Sequence, residues 1–231
     1  QDIEALIQET SAKCSREPEN INYKRTLADL LTRARRCDEA LRVLSDAQRL
    51  TGGADAQVDR AVSTTKLKQF EAAVADLESE GRATEAEAKR KEMESFLLTD
   101  AQDRVRRYPS ELQFRFELGE LLYNRGILDQ AIEEFQLATR NPQRRVRALF
   151  YLALCFRKKN QYDIALEQLQ TAASELRPMT DEKKDILYEM GVIYELMDQP
   201  DKAAEHYKAI YAVDIRYRDV AQKIEKAYRS I

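Results

Sequence analysis

A short pattern of small and large residues returns three times in the second half of the chain. A small residue, first Gly119, then Ala153 and then Gly191, is followed twelve positions later by an alanine and sixteen positions later by a large apolar or aromatic residue. The copies lie 34 and 38 residues apart. Self-similarity at such a period is typical of arrays of helical hairpins, in which each unit buries its apolar face only against its neighbours. The repeat therefore predicts an all-α array.

The other positions of the pattern explain why two helices should pair in each copy. A small residue that faces an alanine lets two helices approach closely, while large residues three and four positions away fill the groove between them. The alanines and the large residues that follow them are Ala131 and Phe135, Ala165 and Leu169, and Ala203 and Tyr207.

The ends of the helices are marked as well. Each copy has, between its two helices, a residue that tolerates the left-handed conformation: Gly126, Asn160 and Asp198. Prolines, which helices cannot easily continue through, stand at the boundaries of the copies: Pro109, Pro142 and Pro178. Ser110 and Gln113 have the spacing of a capping box that would open the first of the three copies.

These motifs resemble the tetratricopeptide repeat, a helix–turn–helix unit of about 34 residues. An earlier copy fits the same frame with Leu27-Ala28, Leu31, Ala40, Leu44 and Ala47. The resemblance implies a right-handed α-solenoid of paired helices whose first helices line a concave surface. It also implies a protein of the bacterial adaptor or scaffold type, and it indicates the fold more specifically than the function.

Seven units follow from this frame. They are 1–20, the second helix of a truncated or degenerate repeat; 21–54, a repeat; 55–109, a deviant repeat with a long helical hairpin; 110–143, 144–180 and 181–216, three repeats; and 217–231, a capping helix. A helix with a polar outer face at the end of such an array shields the last apolar surface from water.

The unit 55–109 is predicted to be an extended hairpin of two helices of about 25 residues, each roughly 37 Å long, with Gly81 as the break. Its residues 78–92 have alanines as their only apolar side chains, so the tip should project into water. Glu85 with Lys89 and Glu87 with Lys91 have the spacing of stabilising ion pairs. Two interpretations stay open, a solvated hairpin and a docking arm for another subunit or protein.

Composition and motifs argue against several functions. The net charge of −3 does not favour a nucleic-acid partner, and no apolar run reaches the length of about 18 residues that a membrane span needs. Cys14, Cys37 and Cys155 lie far apart and His206 is the only histidine, so neither a zinc site nor a disulfide framework can be assembled. No P-loop, G-x-G-x-x-G or G-x-S-x-G motif occurs. We therefore predict no catalytic residues, no metal, no cofactor and no small-molecule substrate.

The first helices of the units supply the candidate binding residues. Aromatic residues beside arginine are typical of binding hot spots, and the alternative is that these rings pack against neighbouring helices. The predicted partner-binding residues are Phe116, Glu120, Tyr123, Arg147, Phe150, Tyr151, Leu154, Arg157, Lys158, Tyr188, Val192 and Glu195.

A basic stretch overlaps this set and precedes an acidic one, residues 181–205. The basic residues are Arg144, Arg145, Arg147, Arg157, Lys158 and Lys159. They predict either charge complementarity along the array or a surface for phosphate or an acidic protein.

Three functional hypotheses result from these observations. The first is a non-enzymatic module that binds a partner peptide or helix on its concave surface. The second is a structural scaffold that forms homo-oligomers through the hairpin or its open ends, and the third is a regulatory domain of a larger protein. We expect a cytoplasmic location, or a membrane-tethered or exported one if a segment before Gln1 is an anchor or a signal.

Overall fold

The computed structural model describes residues 2–229, which form twelve α-helices and no strand. The all-α prediction is thereby confirmed. Residues 230 and 231, at the end of the predicted capping helix, lie outside the described residues. The chain divides into two units, Gln1–Pro109 and Ser110–Ile231. Within residues 2–229, no helix combines the length and the apolar character that crossing a membrane requires.

The first unit contains five helices. They are α1 (Ile3–Arg16), α2 (Ile21–Arg33), α3 (Cys37–Leu50), α4 (Ala56–Ser79) and α5 (Ala83–Arg107). Each helix packs against the next one along the chain, and α2 also contacts α4. The core between them includes Leu44, Ala47 and Val58, all three completely buried.

The second unit contains seven helices. They are α6 (Leu112–Asn124), α7 (Leu128–Ala138), α8 (Arg145–Lys158), α9 (Tyr162–Glu175), α10 (Asp181–Leu196), α11 (Pro200–Tyr211) and α12 (Val220–Arg229). The closest contacts join α6 to α7, α8 to α9 and α10 to α11, and α12 packs against α11. Helix α12 buries Val220 and Ile224 against Tyr207 and Ile210 of α11. The second unit is therefore three helix pairs followed by a helix that covers the last pair.

The small residues of the repeat lie where the paired helices touch. A Cβ atom added at Gly119 would lie only 2.7 Å from a ring carbon of Phe135, and one added at Gly191 would lie 2.5 Å from a ring carbon of Tyr207. In the middle pair, α8 and α9, the small residue is Ala153 and the large one is Leu169, and neither is exposed to solvent. The predicted pairing of small with large residues is thus confirmed. Each glycine faces an aromatic ring, which occupies the space that a Cβ atom would need.

The turns within the helix pairs have the predicted backbone. Gly126, Asn160 and Asp198 all have positive φ, at 75°, 59° and 57°. In the first unit Arg35 takes the same conformation between α2 and α3, with φ of 60°. The sequence does not indicate this turn, because residues other than glycine, asparagine and aspartate rarely adopt a positive φ. The turn is set there by the two helices that it joins.

The predicted capping box at Ser110 and Gln113 is wrong. Helix α6 begins at Leu112, and its N-cap residue is Glu111, which makes no capping hydrogen bond through its side chain. Gln113 instead donates to the carboxylate of Glu117 and accepts a hydrogen bond from Arg144. A contact within α6 and one with Arg144, at the start of α8, have outweighed a local preference worth about 1 kcal/mol.

Helices α4 and α5 form the long hairpin, with 24 and 25 residues. Gly81 provides the predicted break, with φ of 73°. Most side chains of residues 78–92 are exposed, but Ala86 is fully buried. Near the middle of the hairpin the rings of Phe70 and Phe96 pack together, with their centroids 5.5 Å apart. The two helices of the hairpin therefore pack against each other mainly in its middle part and less at its tip.

The ion pairs at the tip differ from the predicted ones. Glu85 pairs with Arg82, and Lys89 pairs with Glu92 rather than with Glu85. Glu87 pairs with Arg90, which also reaches Glu78 on the other helix of the hairpin. The i,i+3 partners and a partner across the hairpin have replaced the predicted i,i+4 pairs. All of these groups are substantially exposed, so each pair contributes little to stability.

The base of the hairpin contains a buried polar network that the apolar pattern did not predict. The carboxylate of Asp59, only 4% exposed, accepts hydrogen bonds from Gln48 at 2.7 Å and from Arg107 and Tyr108. Burial and this carboxylate raise the pKa of Tyr108 to about 12. The network therefore ties both ends of the hairpin to α3.

Removal of the hairpin tip tests how far the first unit depends on it. We expect that deleting residues 79–92 and rejoining the helices with a short turn leaves a cooperative unfolding transition, because Ala86 is the only completely buried side chain lost. Circular dichroism and urea denaturation measure the result. Loss of the helical signal of the whole chain, beyond the share of the deleted residues, would contradict this expectation.

Candidate partner-binding site

Two tyrosines from successive first helices form the centre of the candidate site. Tyr123 of α6 and Tyr151 of α8 make an edge-to-face contact, with ring centroids 5.5 Å apart. Tyr151 also stacks on Phe135 of α7 at 5.0 Å. Because Phe135 is fully buried and packs against Gly119, it provides a fixed support for Tyr151, which in turn contacts Tyr123; both tyrosines are partly buried.

A cation lies over each of these rings. The guanidinium of Arg147 lies 5.5 Å from the ring centre of Tyr151, and the ammonium of Lys158 lies 3.9 Å from that of Tyr123. Such contacts are favourable electrostatically because the face of an aromatic ring is negative. Tyr123, Tyr151, Arg147 and Lys158 together are called the tyrosine patch below.

Glu120 borders the tyrosine patch. Burial, together with the nearby Glu120 carboxylate, raises the pKa of the Tyr151 hydroxyl. Tyr151 therefore keeps its proton well above neutral pH and can donate a hydrogen bond. The patch thus combines apolar ring surface and a hydroxyl group with one cation over each ring.

Three apolar members of the predicted set lie around or beyond the patch. Phe150 makes an edge contact with Tyr151 at 6.2 Å. Leu154 is partly buried on α8, and Val192 is partly buried on α10. Phe150 and Leu154 are thus both partly buried on α8, as their helical spacing of four residues predicts.

Phe116 requires a correction. It is only 3% exposed, because its ring packs between Phe135 at 5.7 Å and Tyr151 at 5.9 Å, and the guanidinium of Arg144 covers it. For this ring the alternative of packing between helices is the correct one. Phe116 supports the site from beneath and offers almost no surface to a partner.

Two of the predicted residues on α10 are engaged by the end of the chain. The hydroxyl of Tyr188 donates to Asp219 at 2.7 Å, and the guanidinium of Arg218 lies 4.6 Å from the centre of its ring. The carboxylate of Glu195 pairs with Lys223 of α12 at 2.5 Å. Burial and the Asp219 hydrogen bond raise the pKa of Tyr188 to about 12. Tyr188 and Glu195 therefore contact residues 218–223, which are called the capping segment below. The open part of the site is then formed by α6 and α8.

Asp219 and Lys223 were not predicted as partners of these residues. One signal was present, because many inter-helix pairs join residues about one repeat apart. Tyr188 and Asp219 are separated by 31 residues, as are Gln113 and Arg144. Complementary groups at that interval indicate Asp219, whereas Lys223 lies 28 residues from Glu195.

Arg157 forms a bridge from α8 to α10. Its guanidinium donates to the carboxylate of Glu189 at 2.6 Å. Glu189 is only 8% exposed, and burial raises its pKa, while the neighbouring Arg157 acts in the opposite direction. Arg157 is therefore a cation with a committed partner inside the unit.

The raised pKa of Glu189 predicts a pH dependence of stability. A carboxyl group whose pKa is higher in the folded state contributes most to stability below its unfolded pKa, and this contribution is lost as the pH rises through the folded pKa. We therefore expect the wild-type chain to gain stability relative to Glu189→Gln as the pH falls from 7 towards 4.5. Urea denaturation at a series of pH values measures this, with Glu133→Gln on the exposed face of α7 as the control. Parallel profiles for wild type and Glu189→Gln would contradict the assignment.

The basic stretch is largely paired within the second unit. Arg144 donates to Gln113 at 2.7 Å, Arg145 pairs with Glu175 at 2.6 Å, and Lys159 pairs with Asp129. Of the six basic residues, Arg147 and Lys158 contact only aromatic rings in the part of the chain that the structure describes. Charge complementarity thus accounts for most of the stretch and leaves these two cations available.

The groups considered for metal or acid–base chemistry lie apart from one another. No group of three or more His, Cys, Asp or Glu side chains within residues 2–229 could hold a metal ion. Cys155 is fully buried, and burial raises its pKa to about 11, so its thiol is protonated at neutral pH. His206 is partly buried and stacks on Tyr194 at 5.4 Å, and burial lowers its pKa.

Helix pairs of about 34 residues, closed by small residues against large ones, define the class of helical-repeat proteins. Residues 98–145 and residues 147–175 each match the family described as tetratricopeptide repeat. The chain thus contains tetratricopeptide repeats, as its motifs predicted. A comparison with curated protein sequences found no match.

Solved structures with this fold align along most of the chain. YrrB, described as a TPR protein with an unusual peptide-binding site, aligns with a TM-score of 0.63 and 17% identity, over 94% of this chain and 97% of its own. MamA from Desulfovibrio magneticus RS-1, residues 41 to the end, aligns with a TM-score of 0.56 and 17% identity, over 91% and 96%. The Cut9–Hcn1 hetero-tetramer of the APC/C aligns with a TM-score of 0.52 and 14% identity, over 98% and 46%. At these identities the similarity establishes the fold alone.

Proposed function

We propose that the chain is a non-catalytic interaction module that binds a segment of a partner protein on the tyrosine patch of its second unit. The observation that carries this proposal is the support of Tyr151. Its ring stacks on the fully buried Phe135, while the partly exposed Tyr123 and Arg147 also contact it. Rigid aromatic residues beside arginine bind partners at a small cost in conformational entropy.

The position of the patch supports binding rather than internal packing. Lys158 is exposed, and Tyr123, Arg147 and Leu154 are partly exposed, so the patch is accessible from solvent. The equivalent surface of α10 is different, because the capping segment contacts Tyr188 and Glu195. A partner segment on α6 and α8 would make contacts of the kind that the capping segment makes on α10. The peptide-binding site described for YrrB lends the proposal support by analogy.

The proposal is tested by selecting peptides from a displayed random library against the whole chain. We expect the double variant Tyr123→Ala, Arg147→Ala to weaken binding of the selected peptides at least tenfold, because it removes one anchor ring and one cation of the patch. Tyr123 is preferred to Tyr151 for substitution, since Tyr151 also packs against buried Phe135 and Phe116. Fluorescence anisotropy measures the affinity.

The control is Glu133→Ala, on the exposed face of α7, which should bind as the wild type does. Thermal unfolding of all variants shows whether the fold is retained. Unchanged binding by the double variant, together with lost binding after deletion of residues 79–92, would make the hairpin the binding element. Light scattering that shows a stable homo-oligomer whose surface covers the patch would favour the scaffold hypothesis instead.

A further inference from the structure

The cations in and around the tyrosine patch differ in whether they have a carboxylate partner. Arg145, Arg157 and Lys159, which lie on or just after the same helix, each have a carboxylate partner. Arg147 and Lys158 have no carboxylate or amide partner among residues 2–229, and the contact that each makes is with a ring face. A ring face attracts a cation but does not neutralise it. The patch therefore has two cations that can each accept a carboxylate without breaking an ion pair.

We propose that the tyrosine patch selects an extended acidic segment, with two Asp or Glu residues four positions apart and an apolar residue midway between them. This inference rests on the proposed function and specifies the chemistry of the partner. The first carboxylate would pair with Arg147 and the second with Lys158. The apolar residue would lie on Tyr123, Tyr151 and Leu154.

The spacing follows from the ring contacts. The guanidinium of Arg147, the rings of Tyr151 and Tyr123 and the ammonium of Lys158 follow one another at 5.5, 5.5 and 3.9 Å, so the two charges lie at most about 15 Å apart. Since Arg147 and Lys158 are separated by eleven residues, about three turns, both lie close to the same face of α8. An extended chain advances about 3.3 Å per residue and its alternate side chains share a face. Two acidic residues four positions apart, about 13 Å, therefore present both carboxylates on one face with a third side chain of that face between them.

Glu120 restricts the middle of the segment. Its carboxylate lies close enough to the Tyr151 hydroxyl to raise the pKa of that hydroxyl. A third acidic side chain at the centre of the segment would be repelled there, whereas a backbone N–H or a hydroxyl would be accepted. The site should therefore discriminate between acidic residues at the two ends of the segment and a uniformly acidic one.

Charge complementarity favours a protein segment over a nucleic acid. A nucleic-acid strand presents a phosphate at every nucleotide and is held by many cations at once. Only two unpaired cations belong to the patch, and the other basic residues of the stretch are already paired within the unit. A carboxylate pair at a fixed spacing matches the patch better than a regular row of phosphates does.

The sequences of the library-selected peptides test the inference. We expect the whole chain to enrich peptides with two acidic residues four positions apart around an apolar one. For such a peptide, the variant Arg147→Glu, Lys158→Glu should lose at least tenfold in affinity, and replacing both acidic residues by their amides should have a similar effect. The matched control is Arg145→Glu, Lys159→Glu, which changes the charge of the same stretch equally but affects cations that are already paired. It should lose less than threefold.

The outcomes separate the inference from the proposed function. Selected peptides that depend on Tyr123 but show no acidic pair would overturn the charge inference and leave the proposed function standing. Peptides whose binding does not depend on Tyr123 would overturn both. A 20-nucleotide single-stranded DNA that competes with the acidic peptide at equal concentration would overturn the choice of a protein segment. Equal losses for the two double charge reversals would show that net charge, not the patch, determines binding.

Discussion

Gly119→Ala is expected to destabilise the second unit by about 1–3 kcal/mol, although alanine is intrinsically the better helix former by about 0.5–1 kcal/mol. The new methyl group would lie 2.7–3.0 Å from three ring atoms of Phe135. That ring is completely buried and is held between Phe116 and Tyr151, so it cannot move aside without displacing both. Urea denaturation followed by circular dichroism measures the change.

The next helix pair provides a matched control. There the corresponding residues are Ala153 and Leu169, both fully buried. The double variant Gly119→Ala, Phe135→Leu copies this pair, so it should be more stable than the sum of the two single changes by about 1 kcal/mol or more. If Gly119→Ala unfolds at the wild-type midpoint, or if the two changes are additive, the ring does not fill the space that the glycine leaves. The support of the tyrosine patch would then have to be revised as well.

The second large effect is expected in the first unit. Asp59→Ala should cost about 2–4 kcal/mol, because it removes the acceptor of three hydrogen bonds in a buried network. The loss should not reach the largest values measured for buried ion pairs, since Arg107 is partly exposed and can regain water. The midpoint of urea denaturation again measures the effect.

The control for this change is Asp103→Ala on α5. Asp103 also pairs with an arginine, Arg106, but both side chains are at least half exposed, so the cost should remain within about 0.5 kcal/mol. Equal costs for Asp59→Ala and Asp103→Ala would show that the network at the base of the hairpin adds nothing beyond a surface ion pair. A loss of stability for Asp59→Ala alone would show that the buried polar network at the base stabilises the attachment of the long hairpin.

The local features of the fold were predictable because they depend on neighbours along the chain. The positive φ angles of Asn160 and Asp198 belong to single turns between adjacent helices. The packing of Gly119 against Phe135 recurs with Gly191 and Tyr207, so the repeat itself revealed it. In both helix pairs the packing partner lies sixteen residues away, at a fixed interval.

The open part of the site was less predictable, for a different reason. Helical periodicity tells which face of its own helix a residue occupies, but not whether another element covers that face. Phe116 and Phe150 occupy equivalent positions of α6 and α8, yet Phe116 is 3% exposed while Phe150 is only partly buried. Tyr188 has the expected face, but Asp219 and Arg218 lie against it.

The sequence by itself determined that the chain contains tetratricopeptide repeats and where their helices pair, because repeated small and large residues encode both locally. It also determined that α4 and α5 are long, because one helical pattern continues on each side of Gly81. Only the tertiary structure decided which cations are paired and which are free. Arg157 and Lys158 are neighbours in the chain, but Arg157 meets the buried Glu189 whereas Lys158 meets only the ring of Tyr123. The physical reason is that an ion pair depends on the distance and rotation between helices about 32 residues apart, and a residue pattern along one helix does not contain that information.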